Sequence, residues 1–219
     1  MTPVREAATV IHLPPEAPLP ALPPSLPRRP YRLIRPLARV LFRVLGWRLD
    51  GGFPNEPRQV LIGWPHTSNW DGLIGLLGAA ACGIDARIYA KAALFRGPLA
   101  WVLRGFGCIP VERDRPGGRV GVAVDRFEAA QASGESFVLA LSPEGTRARG
   151  DGWRLGFHRI AVQAQVPVAV LSFDYERKRL CVHGALHLSG DEPTDLGAIM
   201  DLLSDARGKI PALATPPTD

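Results

Sequence analysis

Short apolar segments alternate with longer helix-like segments along most of this chain, and that alternation restricts its fold more than any other feature. Strands that are apolar throughout are typical of a parallel sheet covered on both faces. We therefore predict an α/β fold: a layered single domain with a central, largely parallel sheet flanked by helices. The predicted strands are Gln59–Trp64, Ala86–Ala90, Cys108–Glu112, Phe137–Leu141, Val168–Phe173 and Leu180–Leu188. One helix is predicted to begin near Asn69. The other predicted helices are Gly97–Gly105, Val120–Ser133, Trp153–Gln165 and Asp195–Ala206.

Proline sets the predicted limits of that domain. Nine prolines lie in residues 1–30, and a segment so rich in proline forms neither a helix nor a sheet ladder. We expect residues 1–30 to be a disordered Pro-rich tail, and residues 211–219, with Pro216 and Pro217, to be a flexible tail. Residues 31–210 then form the folded domain.

A basic amphipathic helix is predicted at the start of this domain, over residues 31–48. Seven arginines and no acidic residue lie between Arg28 and Arg48, so the net charge of +5 arises in this segment. Apolar residues recur at helical spacing from Leu37 to Leu45. Such a helix can lie in a membrane interface, or it can pack its apolar face on the core with its arginines in solvent. The pattern leaves both interpretations open.

Composition excludes several other classes of protein. Basic residues confined to one segment do not favour a nucleic-acid partner. Cys82, Cys108 and Cys181 are widely separated, so we expect neither disulfides nor a zinc site, and we expect a cytoplasmic location. The N-terminus lacks the apolar region of a secretory signal. The longest uncharged apolar stretch, residues 72–84, is thirteen residues long, which is too short to span a bilayer.

Polar loops follow three of the predicted strands. They hold residues 66–71, 113–115 and 142–147. The carboxyl ends of parallel strands share one edge of a sheet, and ligands bind there. In the first loop, His66 and Asp71 could pair as an imidazole and a carboxylate if the chain turns between them. Taken alone this pair is a weak signal, because the spacing also arises by chance.

Four motifs in order resemble those of the glycerophospholipid acyltransferase family, which includes the lysophosphatidic acid acyltransferases. The resemblance covers about residues 59–175, and the order and spacing of the four motifs make chance a poor explanation. The motifs are His66-Thr67-Ser68-Asn69-Trp70-Asp71, Gly107-Cys108-Ile109-Pro110-Val111-Glu112-Arg113, Pro143-Glu144-Gly145-Thr146-Arg147 and Val166-Pro167-Val168.

This resemblance implies a reaction and a set of residues. His66 would be the general base and Asp71 its orienting partner. The acceptor site would be shaped by Arg113, Glu144, Gly145, Thr146 and Arg147, with the two arginines pairing with a phosphate. The donor would be acyl-CoA or an acyl-carrier protein thioester. We expect no further cofactor and no metal.

Some of these roles have structural alternatives. Glu144 could form a stabilising ion pair with Arg147, and Arg113 could be a solvated turn residue. Cys108 lies in an apolar strand and is expected to pack there. Ser142 and Ala148 depart from the family pattern beside the third motif, and this leaves the acceptor open.

The sequence therefore predicts a cytoplasmic enzyme, peripheral on the cytoplasmic face of the membrane and contacting it through residues 31–48. It would transfer a fatty acyl group to a hydroxyl of a glycerol-phosphate-type lipid, such as the lysophospholipid 1-acylglycerol-3-phosphate. Two alternatives are a different acceptor, either a lyso-aminolipid or a small alcohol, and a non-catalytic lipid-binding module.

Overall fold

The computed structural model describes residues 9–12, 21–31, 34–111, 118–203 and 205–217. The strands are β1 (Thr9–His12), β2 (Arg48–Gly51), β3 (Arg58–Trp64), β4 (Ala86–Lys91), β5 (Cys108–Val111), β6 (Phe137–Leu141), β7 (Val168–Asp174) and β8 (Arg179–His187). The helices are α1 (Ile34–Val44), α2 (Asn69–Cys82), α3 (Gly97–Gly105), α4 (Gly118–Ala132), α5 (Gly156–Ala164) and α6 (Glu192–Leu203). Ala92–Leu94 and Pro211–Leu213 form single 3₁₀ turns.

The strands form one sheet in the order β1-β8-β7-β3-β6-β4-β5, and β2 pairs with part of β8. The central pairs β3–β7, β3–β6, β6–β4 and β4–β5 are parallel, whereas β8 runs antiparallel to β7 and β1. The predicted α/β fold with a largely parallel sheet is confirmed. All six predicted strands are present, while β1 and β2, with four residues each, were not predicted.

Alternate residues of the central strands enter two separate cores on opposite faces of the sheet. Val60 and Ile62 of β3 pack with residues of α4, α5 and α6. Leu61 packs on the other face, with Phe42 of α1 and Ile74 of α2. Because both faces are covered, the middle of β3, Val60–Ile62, is apolar at every position, and this is the pattern that the sequence showed.

The parallel strands β3 and β6 are neighbours, but the chain continues from them towards opposite edges of the sheet. From β3 the chain passes through α2 to β4 on one side, and from β6 it passes through α5 to β7 on the other side. Because both crossover connections are right-handed, α2 and α5 lie on opposite faces of the sheet. The loops that lead into these two helices therefore diverge from each other. Ligands bind at such switch points in α/β sheets. The loops holding His66 and Glu144 both begin here.

The N-terminal part of the chain differs from its predicted state. Residues 9–12 pair with β8 in place of a disordered tail, and this short stretch contains no proline. Leu26 and Tyr31 are buried at 3% and 5% exposure. The other residues of the expected tail, 1–8 and 13–20, lie outside the described residues. Proline content therefore did not predict the packing of residues 9–12 and 21–30 against the domain.

Helix α1 is shorter than the predicted 31–48 and has an unexpected orientation. Its buried residues are Ala38 and Phe42, while its larger aliphatic side chains face outward. The exposed residues are Ile34, Leu37, Val40, Leu41, Val44 and, just beyond the helix, Leu45, with 38% to 76% of each exposed. Arg35 and Arg39 both donate to the Ala81 carbonyl at the end of α2. Among the described residues, no helix combines the length and apolar composition that crossing a bilayer requires.

Candidate active site

A capping box fixes the position of Asp71. Helix α2 begins at Asn69, as predicted, and its N-cap is Ser68, whose hydroxyl accepts from the Trp70 amide at 3.1 Å. In return, the Asp71 carboxylate accepts from the Ser68 amide at 2.7 Å. This reciprocal arrangement satisfies amides that the first helical turn would otherwise leave unpaired. It also turns the carboxylate of Asp71 back towards the loop that carries His66.

The Asp71 side chain is completely buried and its two oxygens accept from several donors. Oδ2 accepts from the amides of Thr67 and Ser68 at 2.6 and 2.7 Å. Oδ1 accepts from the hydroxyls of Ser68 at 3.0 Å and Tyr175 at 2.5 Å. Burial alone would raise the pKa of Asp71, but the hydrogen bonds with His66, Tyr175 and Ser68 outweigh it and lower that pKa. Asp71 is therefore an anion at neutral pH.

His66 lies beside this anion and remains accessible. Its Nδ1 is 3.3 Å from Asp71 Oδ2, and 26% of the His66 side chain is exposed. A carboxylate at Nδ1 favours the tautomer that carries its proton there, which leaves Nε2 free to accept a proton. The structure thus brings together the two residues that the first motif predicted as a pair. Chemically, they form a buried acid that orients an accessible base.

Glu144 is also buried, at 2% exposure, but it is not held in the way that either prediction assumed. Its Oε2 accepts from the His66 amide at 2.5 Å, and its Oε1 accepts from the Thr215 amide at 2.8 Å. Burial raises the pKa of Glu144 more than these two amides and the nearby His66 lower it. The carboxylate therefore fixes the backbone of His66. Among the described residues no ion pair joins Glu144 to Arg147, and a substrate contact by Glu144 stays a prediction.

The C-terminal segment, residues 205–217, packs against the same site and is not the flexible tail expected from residue 211. Besides its bond to Glu144, Thr215 accepts at its carbonyl oxygen from the indole nitrogens of Trp64 and Trp153, at 2.9 and 2.7 Å. The Ile210 amide donates to the Thr67 hydroxyl at 3.2 Å. This segment is therefore hydrogen-bonded to the first and third motifs and to the two tryptophans beside them. Its prolines end regular structure without preventing burial.

The third sequence motif, residues 143–147, places a cationic side chain beside the first motif, residues 66–71. The exposed guanidinium of Arg147 donates to the Asn69 side chain at the start of α2. Gly145 has a φ of +62°, and a Cβ there would lie 2.6 Å from Arg154, so this turn requires glycine. Thr146 accepts from the Ala148 amide within the same turn. Arg113, predicted to pair with a phosphate, lies outside the described residues.

Comparison with known proteins agrees with this geometry. The profile of the Acyltransferase family matches residues 53–173, which is more than half of the chain. The chain belongs to the Acyltransferase family. The resemblance found in the four motifs is thereby confirmed. A search of curated proteins finds no match to this acyltransferase.

One solved structure supports the fold of this acyltransferase. It is the crystal structure of the 1-acyl-sn-glycerophosphate (LPA) acyltransferase PlsC from Thermotoga maritima. The two chains superpose with a TM-score of 0.52 over 82% of this chain and 81% of that one, at 16% sequence identity. At this identity the likeness establishes the shared fold.

Three residues at the site of this acyltransferase were not predicted from its sequence. Tyr175 donates to Asp71, Thr215 donates to Glu144, and the Lys209 ammonium lies 4.6 Å from the centre of the Trp70 ring. Tyr175 follows the carboxyl end of β7, the strand beside β3, so its position was a usable signal. Thr215 and Lys209 are far along the chain from the motifs, and local pattern gives no indication of them.

The cysteines of the acyltransferase take no part in this site. Burial raises the pKa of Cys82 to about 12 and that of Cys108 to about 11, so both remain thiols. Cys108 is 6% exposed, in agreement with the expected packing role. Within the part of the chain that the structure describes, no group of three potential metal ligands is found.

Proposed function

We propose that this acyltransferase moves a fatty acyl group from acyl-CoA or an acyl-carrier protein to a hydroxyl of a glycerol-phosphate-type lipid, such as 1-acylglycerol-3-phosphate. The observation that carries the proposal is the accessible His66 beside the buried Asp71 at the switch point of the sheet. Family membership supports acyl transfer. The named substrate of the Thermotoga maritima enzyme, which shares the fold, supports the choice of acceptor.

The proposed chemistry is a single displacement at the thioester carbon. His66 Nε2 takes the hydroxyl proton as the new C–O bond forms, and the C–S bond breaks to release the thiolate of the donor. The imidazolium then returns that proton to the leaving sulfur. Asp71 stabilises the positive charge on His66 during the transfer, as the acid of a Ser-His-Asp triad does. No acyl-enzyme is formed in this scheme, because the hydroxyl of the acceptor takes the place of the serine.

A phosphate on the acceptor would be held near the start of α2. Arg147 contacts Asn69 there, and the positive end of the helix dipole lies at the same place. An arginine can bind a phosphate through two parallel hydrogen bonds, which fix orientation as well as position. Arg113, by family resemblance, would supply a second cation.

Replacing His66 with alanine tests the reaction. Purified protein would be assayed with acyl-CoA and with acyl-carrier protein, on 1-acylglycerol-3-phosphate and on the same glyceride without phosphate. We expect a rate loss of roughly 10²- to 10⁴-fold for His66→Ala, and no loss for His187→Ala, a control at an exposed histidine of β8. Wild-type rates in the His66 variant would refute general-base catalysis. Equal turnover of both glycerides would refute the phosphate-bearing acceptor.

We also propose that the protein is peripheral on the cytoplasmic face of the membrane and that α1 contacts the lipid. Its outward aliphatic residues include Leu37, Val40 and Val44, which are 57%, 55% and 76% exposed. This orientation favours the interfacial interpretation, since packing on the core would have buried these side chains. The three cysteines are free, which fits a reducing compartment.

Point substitutions test the membrane contact better than deletion of residues 1–48. Deletion would also remove Phe42 and Trp47, which are 3% and 7% exposed and belong to the core. Serine at Leu37, Val40 and Val44 together should weaken binding to vesicles containing anionic lipid by about tenfold or more. Val122→Ser is the matched control, because Val122 is 46% exposed on α4, across the sheet. Unchanged vesicle binding in the triple variant would refute the contact.

A further inference from the structure

Asp71 accepts one hydrogen bond from a distant part of the chain, and its donor is the hydroxyl of Tyr175. Three of the hydrogen bonds to the carboxylate come from Thr67 and Ser68, within the loop that the capping box closes. Tyr175 instead reaches Oδ1 from the turn after β7, at 2.5 Å. The sequence motif thus explains where Asp71 lies, and the tertiary fold adds one more donor to it.

This donor lowers the proton affinity of the carboxylate. Each hydrogen bond to an anion stabilises its charge, and the bond from Tyr175 is among the causes that lower the pKa of Asp71. The pKa of Tyr175 is raised by burial, by this hydrogen bond and by the charge of Asp71, so its hydroxyl keeps its proton and acts as a donor. A carboxylate whose charge is shared with Tyr175 attracts an imidazolium less strongly than one without it.

The ring of Tyr175 is oriented by Trp47. The two rings meet edge to face, with centroids 4.8 Å apart at 87°, which is a favoured aromatic arrangement. Trp47 is itself 7% exposed and lies 6.2 Å from the Phe42 ring of α1. Tyr175 is only partly buried, so the contact with Trp47 restricts where its hydroxyl points.

We propose that Tyr175 is a positioning residue that sets the proton affinity of His66 through Asp71, with Trp47 holding it in place. This inference rests on the proposed role of His66 as a base. Among the described residues, the charged groups around His66 are Asp71 and Glu144, which interact with it directly, and two cations at the first turn of α2. These cations are Arg147, at Asn69, and Lys209, over Trp70. Substitutions at Tyr175 and at Trp47 leave all of these charged groups in place.

The pH profile of Tyr175→Phe tests this inference. Without the hydroxyl, the Asp71 anion is less neutralised and stabilises the His66 imidazolium more. The acid limb of kcat/KM should move to higher pH by about 0.5 to 1 unit, while the rate on the plateau stays within about threefold of wild type. Tyr89→Phe is the matched control, since the Tyr89 hydroxyl is buried and has no hydrogen-bond partner among the residues that the structure describes. A uniform rate loss, or a limb that stays in place or moves to lower pH, would overturn the proposal.

Titration of the His66 ring by NMR separates this inference from the proposed function. The His66 signal would be assigned by its absence in His66→Ala, and its midpoint should rise in Tyr175→Phe by the same amount as the limb. If His66→Ala is inactive and this midpoint does not move, the Tyr175 inference fails and the proposed function stands. If His66→Ala is fully active while the midpoint moves, the proposed function fails and the link between the side chains stands.

A double-mutant cycle tests the part played by Trp47. Trp47→Phe should raise the His66 midpoint by less than Tyr175→Phe does, and it should add nothing in the Tyr175→Phe background. An equal additional shift in both backgrounds would show that Trp47 does not act through the tyrosine hydroxyl. Unfolding midpoints of all variants, measured in parallel, identify any general loss of structure.

Discussion

Replacing Glu144 with glutamine would separate two roles for a residue of the third motif. The carboxylate accepts from the His66 amide with one oxygen and from the Thr215 amide with the other. Glutamine has nearly the same shape but only one acceptor oxygen. One of the two buried amides would therefore face an NH₂ group, which cannot accept its hydrogen bond.

The expected loss of stability follows from these two bonds. A buried amide without an acceptor costs about 1–3 kcal/mol, and hydrogen bonds to a charged group are at the upper end of the usual range. Part of this is offset because the neutral side chain avoids the burial cost that raises the pKa of Glu144. We expect a net decrease of about 2 kcal/mol in the free energy of unfolding, or about 1 M in the urea midpoint for an m-value near 2 kcal/mol/M.

The pH dependence has a definite sign. Because the folded-state pKa of Glu144 is raised above its ordinary value of 4.5, the folded protein binds that proton more tightly than the unfolded chain. The stabilising contribution of Glu144 is then complete below pH 4.5 and declines as the pH rises through the folded-state pKa. The stability difference between wild type and Glu144→Gln should accordingly be larger at pH 5 than at pH 7.

Urea denaturation and steady-state kinetics on the same preparations measure both effects. A displaced His66 backbone should lower kcat by roughly 10- to 100-fold with little change in the KM of the acceptor. Glu128→Gln, an exposed substitution on α4, should stay within about 0.5 kcal/mol of wild type. If Glu144→Gln keeps wild-type stability and kcat but raises the acceptor KM, the residue binds substrate and the backbone role is refuted.

Three further predictions concern the same site. Asp71→Asn should lower kcat by roughly 10²- to 10⁴-fold and move the acid limb of the pH profile to lower pH, because the imidazolium loses its counter-charge; an upward movement would contradict this. Arg147→Ala should raise the KM of a phosphate-bearing acceptor about tenfold, and Arg149→Ala, a control in the same loop, should not; equal effects would contradict a specific contact. Deleting residues 211–219 should lower the urea midpoint, since the bonds of Thr215 to Glu144, Trp64 and Trp153 are lost; an unchanged midpoint would show that this segment does not stabilise the domain.

The elements that were predicted correctly are those whose local sequence shows a clear pattern of apolar residues. Phe137–Leu141 is apolar throughout and Val168–Leu171 begins the next central strand with four apolar residues, so pattern alone located both strands. Strands β1 and β2 were missed because four residues hold too little periodicity, and because both exist only as partners of β8. Their pairing depends on residues more than a hundred positions away.

Helix α1 shows the opposite case, in which the pattern was detected but its orientation was not. Helical spacing identifies an apolar face and a basic face without saying which of them meets the protein. The choice depends on α2, whose terminal carbonyl at Ala81 accepts from Arg35 and Arg39. With these arginines directed inward, residues such as Leu37 and Val44 remain outside.

The α/β class, the family and the His66–Asp71 pair were all predictable before the structure, because strand apolarity and motif spacing are visible in short stretches of residues. Three contacts arise only from the packing of distant segments: Glu144 accepts from the His66 amide, Thr215 donates to Glu144, and Tyr175 donates to Asp71. The physical reason is that a buried polar atom needs a partner, and the fold supplies that partner from whichever segment packs beside it.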